Sequence, residues 1–168
     1  PVVFLMTDIV GEVYGKKMAR LFVLAGLSSI FFFVLYSVIS GIMPWGARSL
    51  WVRDAYDIFF GANGTSIRFS IASLLAFGIA EYQDVFSFFF LKARLHGRFF
   101  WLRSMLSNVW SQFLDTAIFM YVAYVGVADY TISSIFVLIV PWWIYKVAMG
   151  ALYSPLLYVG VRLLKEKN

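Results

Sequence analysis

The 168-residue sequence has no cysteine and a single histidine, and only 14% of its residues are charged. Without thiols there are no disulfides and no thiolate metal centres. The lone histidine, His96, lies in the polar run KARLHGRFFWLR and reads as a solvated loop side chain rather than a ligand. A soluble domain carries about 25% charged residues. The deficit here fits a chain embedded in lipid, where charge is not hydrated. Catalytic signatures are missing as well: there is no G-x-S-x-G, H-E-x-x-H or Walker A pattern. The chain therefore reads as a non-enzyme, with no cofactor, and any ATPase that energised it would be a separate chain.

What the sequence does have is apolar bulk. It is 62% hydrophobic and 20% aromatic, with a mean hydropathy of +0.82. A membrane-spanning helix needs about 20 mostly apolar residues. Spans are expected at about 18–42, 67–91, 104–128 and 132–164, the last with a kink or break at Pro141 and Pro155. The opening, PVVFLMTDIV, has no initiator Met and no signal-peptide pattern, so residues 1–14 read as the end of a further span that begins upstream. The connector 43–66 mixes aromatic and charged residues and reads as an interfacial amphipathic helix, closed by a turn at GANGTS. The fold class is thus an all-α integral membrane bundle, a single domain over 1–168, with six spans in the full protein.

The net charge of +5 raises the possibility of nucleic acid, but the distribution argues against it. Lys16, Lys17 and Arg20, then Lys92, Arg94, Arg98 and Arg103, then Arg162, Lys165 and Lys167 mark three basic ends. GVADYT has no Lys or Arg, and the 43–66 connector offsets Arg48 and Arg53 with Asp54 and Asp57. High and low loops alternate, which by the positive-inside rule places the basic loops and the C-terminus in the cytoplasm. The basic residues orient the chain in a lipid bilayer.

The anomaly is acid within the apolar runs. IAEYQDVFSFFF carries Glu81 and Asp84, and WSQFLDTAIFMY carries Gln112 and Asp115. Counted from the cytoplasmic ends, Asp84 lies roughly 10 Å deep, Glu81 roughly 15 Å and Asp115 roughly 18 Å. Asp8 and Glu12 approach from the first segment, and Lys146 lies near the middle of the last span. A central Asp or Lys costs about 2.5–3.5 kcal/mol against lipid, so these groups must face one another or a polar cavity. Helical spacing agrees. Ser107, Ser111 and Asp115 share one stripe, Asn108 and Gln112 another, and Ala76, Ala80 and Asp84 a third.

Aligning Asp84 with Asp115 also pairs Glu81 with Gln112 and Ser73 with Ser104, a repeat of 31 residues between helices of opposite direction. Lys146 can pair with Asp115, and Arg68 with another carboxylate. One or two cations cannot neutralise five acids, and the surplus calls for protonated carboxyls, water or a ligand that donates hydrogen bonds.

The stretch TDIVGEVYG (Thr7, Asp8, Glu12, Val13, Tyr14, Gly15) resembles the queuosine precursor transporter family, also called the vitamin uptake transporter family. The likeness continues at Arg68 with Ile71, Ala72 and Ser73, and at Asp84 with Val85. It extends through Trp101, Arg103, Ser107, Ser111, Gln112, Asp115, Thr116 and Phe119, and on to Lys146 and Pro155. The chain departs from that pattern at Ser104 and Met105, where the family has two asparagines, and at Ala80 and Glu81, where it has Ser-Gln.

The resemblance implies an inner-membrane importer of deazaguanine bases, with these polar positions as its substrate or coupling residues. A carboxylate can accept the adjacent N1–H and 2-amino hydrogens of such a base. Gln112 or Asn108 would read the carbonyl edge, and Tyr82, Phe86 or Trp110 would stack on the ring. Asp84 and Asp115 are the leading positions for base recognition or proton coupling, with Lys146 as counter-charge. The alternative is a substrate-capture subunit for a vitamin, driven by a separate ATPase.

Overall fold

The structure, a computed structural model, describes residues 2–44, 46–60, 65–96, 98–127 and 130–165. Most of the GANGTS turn, part of GVADYT and the last basic residue, Lys167, lie outside the described residues. The elements in order are α1 (Val2–Ile42), a short 3-10 turn (Ala47–Val52), α2 (Arg53–Phe60), α3 (Thr65–Arg94), α4 (Phe100–Tyr124) and α5 (Ile132–Lys165). Among the described residues there is no strand.

The expected division between residues 14 and 18 takes the form of a local break. Gly15 alone leaves the helix, at φ 83 and ψ 177, a conformation that glycine adopts without steric cost. It separates an N-terminal segment (2–14) from a longer one (16–42). Of the kink or break expected at Pro141 and Pro155, the break does not occur. α5 runs unbroken through both prolines, because a proline removes one helix bond and a long helix keeps the rest. The 43–66 connector does form a short helix, α2, with no buried residue. Tyr56 ties it to α1 by donating to the Ser40 carbonyl (3.1 Å) and pairing with the Ser40 hydroxyl. Gly41 makes that contact possible, since a Cβ there would sit 2.1 Å from the Phe60 carbonyl oxygen.

The long helices pack antiparallel in sequence. Phe69 meets Phe119 and Tyr124, while Phe88 meets Phe100, so α3 and α4 run in opposite directions. Ser37 meets Ser66 and Val23 packs with Val85, which sets the second half of α1 against α3. Met120 packs with Ile135 and Ile139, and the Trp143 indole donates to the Val109 carbonyl (2.9 Å), joining α4 to α5. The first segment of α1 enters this bundle and is held at Gly160, where a Cβ would come within 2.7 Å of Ile9.

The distribution of residue types is inverted relative to a water-soluble bundle. Ser107, Ser111, Gln112, Glu81 and Asp84 are buried, whereas Phe32, Ile42 and Leu152 are more than 60% exposed. An apolar exterior around a small and polar interior is what lipid as solvent selects. Three stretches, Val2–Ile42, Leu50–Arg94 and Ile132–Leu164, are long and apolar enough to cross a membrane. α4 is the most polar of the long helices on its inner face, where Arg103, Ser104, Ser107, Asn108, Ser111, Gln112 and Thr116 are all buried.

Candidate functional site

Three helices converge on one acidic cluster. Asp8 comes from the first segment of α1, and Glu81 and Asp84 come from α3; each is at most 1% exposed. The donors come chiefly from α4. Ser104 donates to Asp8 Oδ2, Asn108 Nδ2 donates to the same oxygen at 2.9 Å, and Ser111 donates to Asp84 Oδ1 at 2.6 Å. Thr7 donates to Glu81 Oε2 at 3.0 Å. Among the described residues, no Lys, Arg or His pairs with these three acids.

Acceptors outnumber donors in this cluster. Glu81 Oε1, Asp84 Oδ2, Asn108 Oδ1 and Gln112 Oε1 are buried and have no hydrogen-bond partner. A buried polar atom left unpaired costs about 1–3 kcal/mol, so four of them mark a place where a partner belongs. That partner has to be a donor. Beside Asn108 and Gln112 there is a gap of about 10 Å³, lined also by Leu5, Val147 and Gly150, which is room for about one water. A larger ligand enters only when the helices separate. Among the described residues no three acidic, His or Cys side chains gather as metal ligands.

Asp115 and Glu12, by contrast, each have a cation. Lys146 meets Asp115 at 2.7 Å, as the sequence suggested. Glu12 receives both Lys92 (2.7 Å) and Arg103 (3.2 Å). Arg103 is fully buried, with its guanidinium 5.0 Å from the Phe88 ring centre and 5.6 Å from that of Phe100. Its Nε and Nη1 have no partner.

Other sequence expectations find different surroundings. Arg68, expected against a carboxylate, donates to the Val122 carbonyl (3.2 Å) and the Val125 carbonyl, closing the C-terminal end of α4 where helix carbonyls lack partners, and meets no carboxylate among the described residues. Ser73 is half-buried near the far end of α3, away from the acids. Tyr82, Phe86 and Trp110, expected to stack on a ring, are more than half exposed and face outward. Asp84 meets Ser111, one turn before Asp115 on α4. Thr7 and Ser104 were not singled out as ligands of the acids. The signals were Thr7 beside Asp8 and Ser104 one turn before Asn108.

An all-α, multi-pass chain with ionisable groups held between its helices belongs to the class of membrane transport proteins. More narrowly, it belongs to the family described as "Putative vitamin uptake transporter", whose model matches residues 1–160, and this is a family of transporters and not of enzymes. It is 32% identical over 127 residues to a "Probable queuosine precursor transporter" of Bacillus subtilis (strain 168), a match covering 74% of this chain and 53% of that relative. The chain thus spans about half the length of the curated relative. No solved structure matches.

Proposed function

We propose that this chain forms the substrate-handling core of an inner-membrane importer of 7-deazaguanine bases, the precursors of queuosine. The observation that supports it most is the Asp8–Glu81–Asp84 cluster, which is buried, has no cation among the described residues and leaves two acceptor atoms without partners, with two more on Asn108 and Gln112. A guanine-like ring presents N1–H and a 2-amino group side by side, and one carboxylate can take both. Glu81 and Asp84 are the recognition pair on this reading, with Asn108 and Gln112 beside them. The amide nitrogen of Gln112 lies against Gly150, where a Cβ would come within 3.2 Å, so α5 holds the reading group in place.

Import runs with protons in this scheme. A carboxyl of the cation-free cluster gives up its proton as the donors of the base arrive. Glu12, Arg103 and Lys92 tie the cytoplasmic ends of the first segment, α4 and α3 together, and the C-terminus lies in the cytoplasm. Long helices 16–42, α3, α4 and α5 cross the bilayer, 2–14 is part of a further span, and the full protein has six.

The test is uptake of labelled aminomethyl and cyano deazaguanine by the full-length protein, in cells that cannot make queuosine. Asp84→Asn, checked for membrane insertion, should lose uptake that the wild type shows. Uptake of neither base by the wild type would overturn the reading; uptake only alongside a co-purifying ATPase would favour a capture subunit.

A further inference from the structure

A second cavity lies apart from the acids, and nothing in the function proposed above uses it. It holds about 570 Å³ between the second half of α1, α2 and α3, within the usual range for small-ligand pockets of about 300–1,000 Å³. Its walls are aromatic and hydroxylic: Phe33, Phe59 and Phe69, with Ser29, Ser70 and Ser73. No charged side chain lines it. Ser70 is only 6% exposed, and its hydroxyl, like that of Ser73, makes no hydrogen bond to another described residue. Both hydroxyls line the cavity and are free to bond with what enters it. An acyl chain offers no such partner, whereas a planar heterocycle offers a ring for the phenylalanines and polar edges for the serines.

The cavity is in line with the acidic cluster. Ser73, Phe77 and Glu81 follow i, i+4, i+8 spacing on α3, so they share a face, and Ser73 and Glu81 are about 12 Å apart along the helix. Phe77 stands between them. Its ring fits against Gly26 of α1 so closely that a Cβ there would lie 2.9 Å from the ring. The notch exists because residue 26 has no side chain, and the ring lies one turn of α3 beyond Ser73, the last cavity residue on that helix.

We propose that this cavity is an outer waiting site for the transported base, separated from the acidic cluster by Phe77 acting as a shutter in the Gly26 notch. The inference rests on the transport reading above, and it adds a second site per chain. The base first meets Ser70 and Ser73 and stacks among the phenylalanines. It then passes to Glu81 and Asp84 when the Phe77 ring swings out.

Equilibrium dialysis of a labelled deazaguanine base against full-length protein in lipid nanodiscs tests this directly. Wild type should bind two bases per chain, and Asp84→Asn one. Ser70→Ala combined with Ser73→Ala should weaken one of the two sites by about tenfold and leave the other intact, which also shows that the variant is folded. Rapid-mixing uptake should be biphasic in wild type and monophasic in Phe77→Ala. One base per chain in wild type, two sites of unchanged affinity in the serine variant, or a co-purified lipid that wild type holds and Ser70→Phe releases would each overturn the waiting site. Two phases persisting in Phe77→Ala would overturn the shutter. No binding by folded wild type would instead overturn the transport reading, a result distinct from loss of one site of two.

Discussion

Two kinds of buried acid coexist within one bundle. Asp115 and Glu12 each have a cation at 2.7 Å, supplied by Lys146 and Lys92. Asp8, Glu81 and Asp84 are more deeply buried, yet their partners are hydroxyls and an amide. Paired charges in a low-dielectric setting are answered by each other and need nothing from outside. A cation-free cluster is answered only in part, and its remaining acceptors are available to whatever the protein carries. On the function proposed above, the difference separates acids that hold helices together from acids that read a ligand.

That contrast can be broken by substitution. The largest effect is expected at the cluster: Asp84→Asn should reduce uptake by about 100-fold or more, because a site built around a donor–acceptor match loses most of its selectivity when the match is removed. The same variant should unfold no more easily than wild type, since it removes an uncompensated acid. Unfolding in detergent alongside transport would reveal both.

The paired acids should behave the opposite way. Lys146→Met alone leaves Asp115 uncompensated and should cost about 3–5 kcal/mol of stability. Adding Asp115→Leu should restore most of it, a coupling that a double-mutant cycle measures. A smaller loss, about 2 kcal/mol, is expected for Arg68→Gln, which removes a charged donor from the Val122 and Val125 carbonyls. Its substrate concentration dependence should not change, in contrast to a residue that touches the base. Smallest of all, Tyr82→Leu and Phe86→Leu should alter uptake by less than about twofold, since both side chains face outward. A large loss there would return aromatic stacking to the site.

Much of this arrangement was legible in the sequence. Helix positions followed from apolar runs, and the i, i+4 stripes on α3 and α4 identified the inward faces that bury Ala76, Ala80 and Asp84, and Ser107 and Ser111. The Lys146–Asp115 pair was legible because each charge needed a partner at similar depth. Partner choice elsewhere was not. A sequence pattern gives the face of a helix but not the register between helices, so Asp84 aligned with Asp115 on paper and meets Ser111 in space. The path of the first segment was hidden as well. Only with 2–14 seated inside the bundle do Thr7 reach Glu81, Asp8 reach Ser104 and Glu12 collect two cations. The aromatic residues misled because Phe, Tyr and Trp serve equally well against lipid and against a ring, and composition does not separate the two.

The most direct test compares one variant from each class in the same transport assay. Full-length Asp84→Asn and the double variant Asp115→Leu with Lys146→Met would be assayed for uptake of labelled deazaguanine at matched membrane levels. Expected is loss of uptake in the first and uptake within a few-fold of wild type in the second. Uptake retained by Asp84→Asn and lost in the neutralised pair would contradict the division of labour and move the substrate to the Asp115–Lys146 side of the bundle.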